Sequence, residues 1–140
     1  MADHEKLALV EVSLERAAES IGDITRPVID LFHARCPEGA AAFAHHGLDD
    51  PARLEAVMVE NVLYCIMTWF ERPEEIRILF YTSVPHHMDT LHVPGALYRE
   101  LMFAGIDTIT SSIPADCVDE IAAWQVMRQD FAELVQTAME

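Results

Sequence analysis

The side chains able to do chemistry in this chain are mostly imidazoles. The seven histidines include two adjacent pairs, His45-His46 and His86-His87, and the second pair opens the run His86-His87-Met88-Asp89-Thr90-Leu91-His92-Val93. A neutral imidazole can bind a metal through one ring nitrogen while the other fixes its tautomer. The seven methionines add a second donor type, a soft thioether. The paired histidines do not read as a zinc site. There is no HExxH spacing, and neighbouring residues on a helix point apart. Cys36, Cys65 and Cys117 are odd in number and lack a CxxC pattern, so they read as reduced thiols of a cytoplasmic protein.

Charge narrows the class of partner. The net charge is −15. Residues 1–70 carry 12 acids and 5 bases, and residues 71–140 carry 12 and 4, so the acidity is spread evenly. Such a surface repels nucleic acid and anionic membrane. Lys6 is the only lysine beside eight arginines, so an anionic ligand must find its donors among few groups. The start MADHEKLALVEV has no long apolar core, which argues against a signal peptide. No apolar run reaches the ~18 residues needed to span a bilayer.

The elements that must position these groups read as helices throughout. Residues 5–20 carry Leu7, Val10, Leu14, Ala17 and Ala18 at helical spacing and stop at Gly22-Asp23. Residues 24–35 form a second helix, with Pro27 in its first turn. Residues 37–43 give one short turn, and Ala44–Asp49 reads as a loop. Asp50-Pro51 is an N-cap followed by proline at the first helical position, and it opens a helix to about Phe70 with Leu54, Met58, Val62, Cys65 and Ile66 on one face. Residues 74–82 are helical. Ser83-Val84-Pro85 interrupts them and starts a short new helix through His92. Pro94 opens a helix to about Ser111, and Pro114 opens the last, to about Met139. The expectation is an all-α single domain over residues 1–140 with seven to eight helices. Helical period alone does not choose among all-α folds.

The histidine run, followed by Tyr98, resembles the junction between the F and G helices of globins. Cys36-Pro37 with Phe43 and His45 resembles their C helix and CD corner, and Val62-Leu63 resembles the Val-Leu pair of their E helix. The final-helix tryptophan frequent in bacterial globins matches Trp124. The resemblance spans roughly residues 7–138. Its weight lies in the joint spacing of Pro37, Phe43, Val62, His87, Val93 and Tyr98, since no single motif is specific.

The resemblance implies a globin-like fold around a b-type haem. It makes His87 the proximal iron ligand and Phe43 the ring that packs on the porphyrin. It puts Met58 at the distal position, 87 − 58 = 29 residues earlier, as the family spacing has it. Val62, Ile29 and Leu101 then line an apolar distal side, with Val93 and Tyr98 near the ligand. His45, His92 and Arg99 are the candidate donors to the propionates. Covalent c-type attachment is excluded, because no CxxCH is present. The implied function is binding of a small gaseous ligand (dioxygen, carbon monoxide or nitric oxide) or exchange of electrons with a redox partner. An enzymatic role such as nitric oxide dioxygenase or peroxidase is disfavoured by the lack of distal acid–base groups. Three departures leave alternatives open. Pro85 lies two residues before His87, so His86 is the alternative ligand. Ser83 replaces a leucine under the haem. Met58 replaces a distal hydrogen-bond donor and is itself a candidate axial ligand. The rival is a haem-free sensor or interaction domain with an apolar cavity. Homo-oligomer formation stays open.

Overall fold

The computed structural model describes residues 1–140 as seven α-helices without a strand. These are α1 (Asp3–Ser20), α2 (Thr25–Arg35), α3 (Pro37–His46), α4 (Pro51–Thr68), α5 (Pro73–Asp89), α6 (Gly95–Thr110) and α7 (Val118–Met139). No helix is long and apolar enough to cross a membrane.

Prolines open three of them. Pro37, Pro51 and Pro73 each sit in a first turn, where the missing N–H would have had no partner anyway. At α4 the Asp50 carboxylate also accepts from the Arg53 backbone N–H at 3.1 Å, so the expected cap forms.

Three boundaries differ from the sequence reading. Residues 44–46 belong to α3 rather than to a loop, because the helix runs on to a cap at Gly47. The interruption expected at Ser83-Val84-Pro85 does not occur, and α5 is continuous through Pro85 to Asp89. Pro85 costs the helix its bond to the Tyr81 carbonyl. Tyr81 is exposed, so water can take that bond, while Ile76, Phe80 and Val84 anchor the other face in the core. Finally, α7 starts at Val118 rather than Pro114, since the Pro114 carbonyl instead closes a turn with the Cys117 N–H at 3.0 Å.

Every helix contributes to one core of buried apolar residues. Helix α7 is its axis, packing on α5, α6 and α1, while α2 crosses α6 and α3 spans α2 and α4. Trp124, Phe131, Met127, Phe80 and Ile109 fill the centre and are almost wholly shielded from water. Helices α4 and α6 approach closely at Gly105, where an added Cβ would lie 2.5 Å from Val62 Cγ1. Two polar ties bind the layers. Ser13 and Arg16 of α1 hold the Glu120 carboxylate of α7, at 2.7 Å for the hydroxyl and 2.7 and 3.0 Å for the guanidinium. Arg35 of α2 and Arg128 of α7 converge on Asp107 of α6.

Candidate functional site

A cavity of about 430 Å³ lies between α3, α4, α5 and α6. Thirteen of its nineteen lining residues are hydrophobic, which suits a largely apolar ligand held by a few polar groups. Helix α4 supplies Leu54, Met58, Asn61 and Val62, which are successive members of one face at i, i+4, i+7 and i+8. Helix α5 supplies Leu79, Ser83, His86 and His87, again spaced by three and four. The α5–α6 turn adds Leu91 and Val93, α6 adds Leu97, Tyr98, Leu101 and Met102, and α3 adds Phe43 and His46.

His87 is the best-determined polar group there. Its Nδ1 lies 2.7 Å from the Ser83 carbonyl, one helical turn back, and 3.4 Å from the Ser83 hydroxyl. A carbonyl only accepts, so Nδ1 carries the proton and donates it. In the neutral imidazole so bonded, Nε2 is the nitrogen that keeps a lone pair. The Tyr98 ring packs edge-on against the imidazole, with centroids 5.3 Å apart at 76°, and Phe80 packs behind Tyr98 at 5.5 Å. Burial pushes the Tyr98 phenol up to about 12, against a smaller opposing effect of the Ser83 hydroxyl, so it stays a neutral hydrogen-bonding group. His86 differs from its neighbour. It is exposed at the edge of the cavity, its ring edge-on to that of His87 at 6.1 Å, and no hydrogen bond fixes its tautomer. Continuity of α5 through Pro85 therefore gives the two histidines unequal environments.

Seven of the ten residues singled out from the sequence line this cavity: Phe43, Met58, Val62, His87, Val93, Tyr98 and Leu101. Met58 is half-buried and Val62 buried, both on α4. The Phe43 ring meets Phe32 edge-on at 5.9 Å, which fixes its orientation. Val93 closes the turn, its N–H donating to the His87 carbonyl at 2.7 Å.

Three do not reach the wall. Ile29 is fully buried in the core. His45 is exposed and meets His46 edge-on, with ring centroids 4.8 Å apart. His92 is exposed and holds the left-handed turn after α5 at φ 57, a conformation that histidine tolerates better than most residues. Arg99, the further rim candidate, pairs with Glu100 at 3.3 Å and also lies off the wall.

His46 is the wall residue that the sequence reading passed over. It follows Phe43 by three positions, so it shares that residue's face once α3 is allowed to run past residue 43. Leu54 was placed on the apolar face of α4 but not at the site, and Leu97 was unremarked. Leu54 and Asn61 were legible as members of the Met58 face. Cys65, by contrast, is buried beyond the wall, and desolvation pushes its thiol up to about 12, so it behaves as a small hydrophobe.

No three His, Cys, Asp or Glu side chains converge into a cluster able to hold a metal ion. No family model, curated protein or solved structure matches this chain.

Proposed function

We propose that this chain is a globin-like haem protein in which His87 binds the iron of a b-type haem. The observation that carries this reading is the Nδ1 bond from His87 to the Ser83 carbonyl. It holds the imidazole in the tautomer whose Nε2 can donate to a metal, on the wall of a large apolar cavity. A metal-binding histidine generally has such a partner on its second nitrogen. No three His, Cys, Asp or Glu side chains cluster around His87, so a metal held by protein groups alone would be short of donors, a shortage that the four nitrogens of a porphyrin would make good.

The wall residues fit that group. Phe43 presents a flat ring for stacking, and Val62, Leu101 and Leu54 offer apolar contact. His46 and His86, rather than His45 and His92, are the donors available to propionates. When bound, haem iron supplies reversible coordination of a small gas or one-electron exchange. The protein's contribution is then decided on α4. Dioxygen gains negative charge on binding iron and is held by a hydrogen-bond donor. Met58, Leu54 and Val62 provide none, and the one amide on this wall, Asn61, is largely turned over to water. This wall favours carbon monoxide or nitric oxide over dioxygen. The Met58 thioether is a soft donor suited to ferrous iron, and it makes a His–Met pair and an electron-transfer or sensing role part of the same proposal.

One observation favours a haem-free apolar-ligand domain instead. No lysine or arginine lines the cavity, so propionates would meet only histidines, an asparagine and the hydroxyls of Ser83 and Tyr98. Titration of the purified protein with haemin separates the two readings. The haem reading expects saturation at one equivalent, an intense Soret band and a higher melting temperature for the loaded protein. Loose haem binding without a melting shift, together with stabilisation by a long-chain hydrocarbon ligand, supports the second.

A further inference from the structure

The outer face of α4 is patterned more regularly than a solvent-facing helix needs. Arg53, Val57, Glu60, Tyr64, Met67 and, just past the helix end, Glu71 follow one another at alternating steps of four and three residues, and all six are exposed. That alternation is the 3.5-residue period of a helix–helix seam. The face of α4 that packs within this molecule is the opposite one, through Val59, Val62 and Ile66. Val57, Tyr64 and Met67 are left 41, 43 and 54 % exposed. The Tyr64 phenol donates to Glu75 of α5, so α5 flanks the seam there, and one turn further on Ile78 is 66 % exposed. Arg53 and Glu60 have no ion-pair partner within the chain, and Glu71 has only its neighbour Arg72 at 3.4 Å. The order of the six is also self-complementary. Read against its own reverse, it sets Arg53 opposite Glu71, Val57 opposite Met67 and Glu60 opposite Tyr64, each pair symmetric about Val62. A parallel pairing would instead set Arg53 on Arg53, Glu60 on Glu60 and Glu71 on Glu71.

We propose that this face is a homodimer interface, in which α4 packs antiparallel on the α4 of a second copy about a twofold axis at the level of Val62. A twofold contact requires a surface that complements itself, and this one does. Arg53 meets Glu71 of the other copy at both ends of the seam, and Val57 meets Met67 inside those pairs. A partner of unrelated sequence would have to supply this order of charges separately, whereas a second copy carries it already. Two terms oppose the association. Each copy bears a net charge of −15, and the two unpaired Glu60 carboxylates come near the axis. The dimer is therefore a weak one, governed by concentration. It does not depend on which ligand fills the cavity.

The test is sedimentation velocity of the full chain from ~1 μM to ~1 mM, a range that brackets weak association. Wild type is expected to pass from monomer to dimer across it. Arg53→Glu and Glu71→Arg each set like charges together at both ends of the seam, and each should weaken association at least about 10-fold. Combined in one chain they reverse both pairs, and the double variant should return to within about 3-fold of wild type. Glu60→Gln removes the repulsion at the centre and should tighten the dimer about 3-fold. Circular dichroism checks that each variant keeps its helices. Glu60 is exposed and unpaired, so its variant decides even where a charge reversal costs the fold, and unchanged affinity there would overturn the proposal. A wild type that stays monomeric throughout would overturn it and leave the seam to another protein. A dimer indifferent to the single charge reversals, or one that fails to recover in the double variant, would overturn it as well.

Discussion

The two sides of the molecule use the same helical pattern to opposite ends. Around α7, the side chains of Trp124, Met127, Phe131, Phe80 and Ile109 are almost wholly shielded from water, and the Ser13–Arg16–Glu120 tie closes the edge. Around α3, α4 and α5, equally apolar faces stand apart and leave about 430 Å³ between them. The first region spends its apolar residues on stability. The second forgoes that packing and places a tautomer-locked imidazole and a thioether on the walls. Close packing is the rule in protein interiors, so a hole of this size calls for a ligand.

The contrast can be broken most severely in the packed half. Phe131→Ala removes a ring that is fully buried and in contact with Trp69 and Phe80. It should cost ~3–5 kcal/mol in chemical denaturation. Met58→Ala, on the cavity wall, should cost only about 1 kcal/mol without haem, since its side chain already lacks neighbours on one side. Equal losses at the two positions would show the cavity side to be as tightly packed as the other.

Gly105→Ala tests the seam between the halves. The added methyl meets Val62 Cγ1 at 2.5 Å, and a buried valine has few rotamers to retreat into. A loss of ~1–3 kcal/mol is expected, with weaker haem uptake as Val62 is pushed toward the cavity. Unchanged denaturation and haem affinity would mean that α4 and α6 separate more freely than their packing implies.

A pH effect sharpens the packed side alone. The Arg16 guanidinium, more than the smaller help from Ser13 and Cys117, outweighs burial and holds Glu120 at about 2, below its ordinary 4.5. Its folded value is depressed, so its contribution is complete above about 4.5 and fades as pH falls toward about 2. Glu120→Gln should lower stability at neutral pH and flatten the acid side of the melting-temperature profile. A profile as steep as that of wild type would assign the acid loss to other carboxylates.

The smallest structural effect is expected at Met58→Leu, a volume-conserving change that should cost less than the about 1 kcal/mol of Met58→Ala. Its spectroscopic effect should be large. Ferrous wild type should be low-spin and six-coordinate, and the leucine variant high-spin with faster carbon monoxide binding. A high-spin ferrous wild type, unchanged by the substitution, would reduce Met58 to a lid.

Much of this was legible in the residues. Asp50-Pro51 capped α4 as its type and position require, and the 3.6-residue spacing of Leu54, Met58 and Val62 gave the face that lines the cavity. The main error in the helix boundaries came from tertiary packing overriding local punctuation. Pro85 reads as a break, yet Phe80 and Val84 on one side and Tyr81 in water on the other let α5 continue. Stopping α3 at Phe43 hid His46, while His45 was named on the resemblance to the globin CD corner. Ile29 has the right character for a distal wall and simply lies one layer deeper. The hydrogen bond from His87 to a carbonyl could not be read at all, since it depends on the rotamer and not on residue type.

The measurement that most directly tests the assignment of iron to His87 is chemical rescue. His87→Gly should take up haem poorly and without the wild-type Soret band. Added imidazole, diffusing into the space the side chain left, should restore that band, while His86→Ala should match wild type throughout. A His87→Gly protein that binds haem with the wild-type spectrum and affinity, with no response to imidazole, would contradict the assignment.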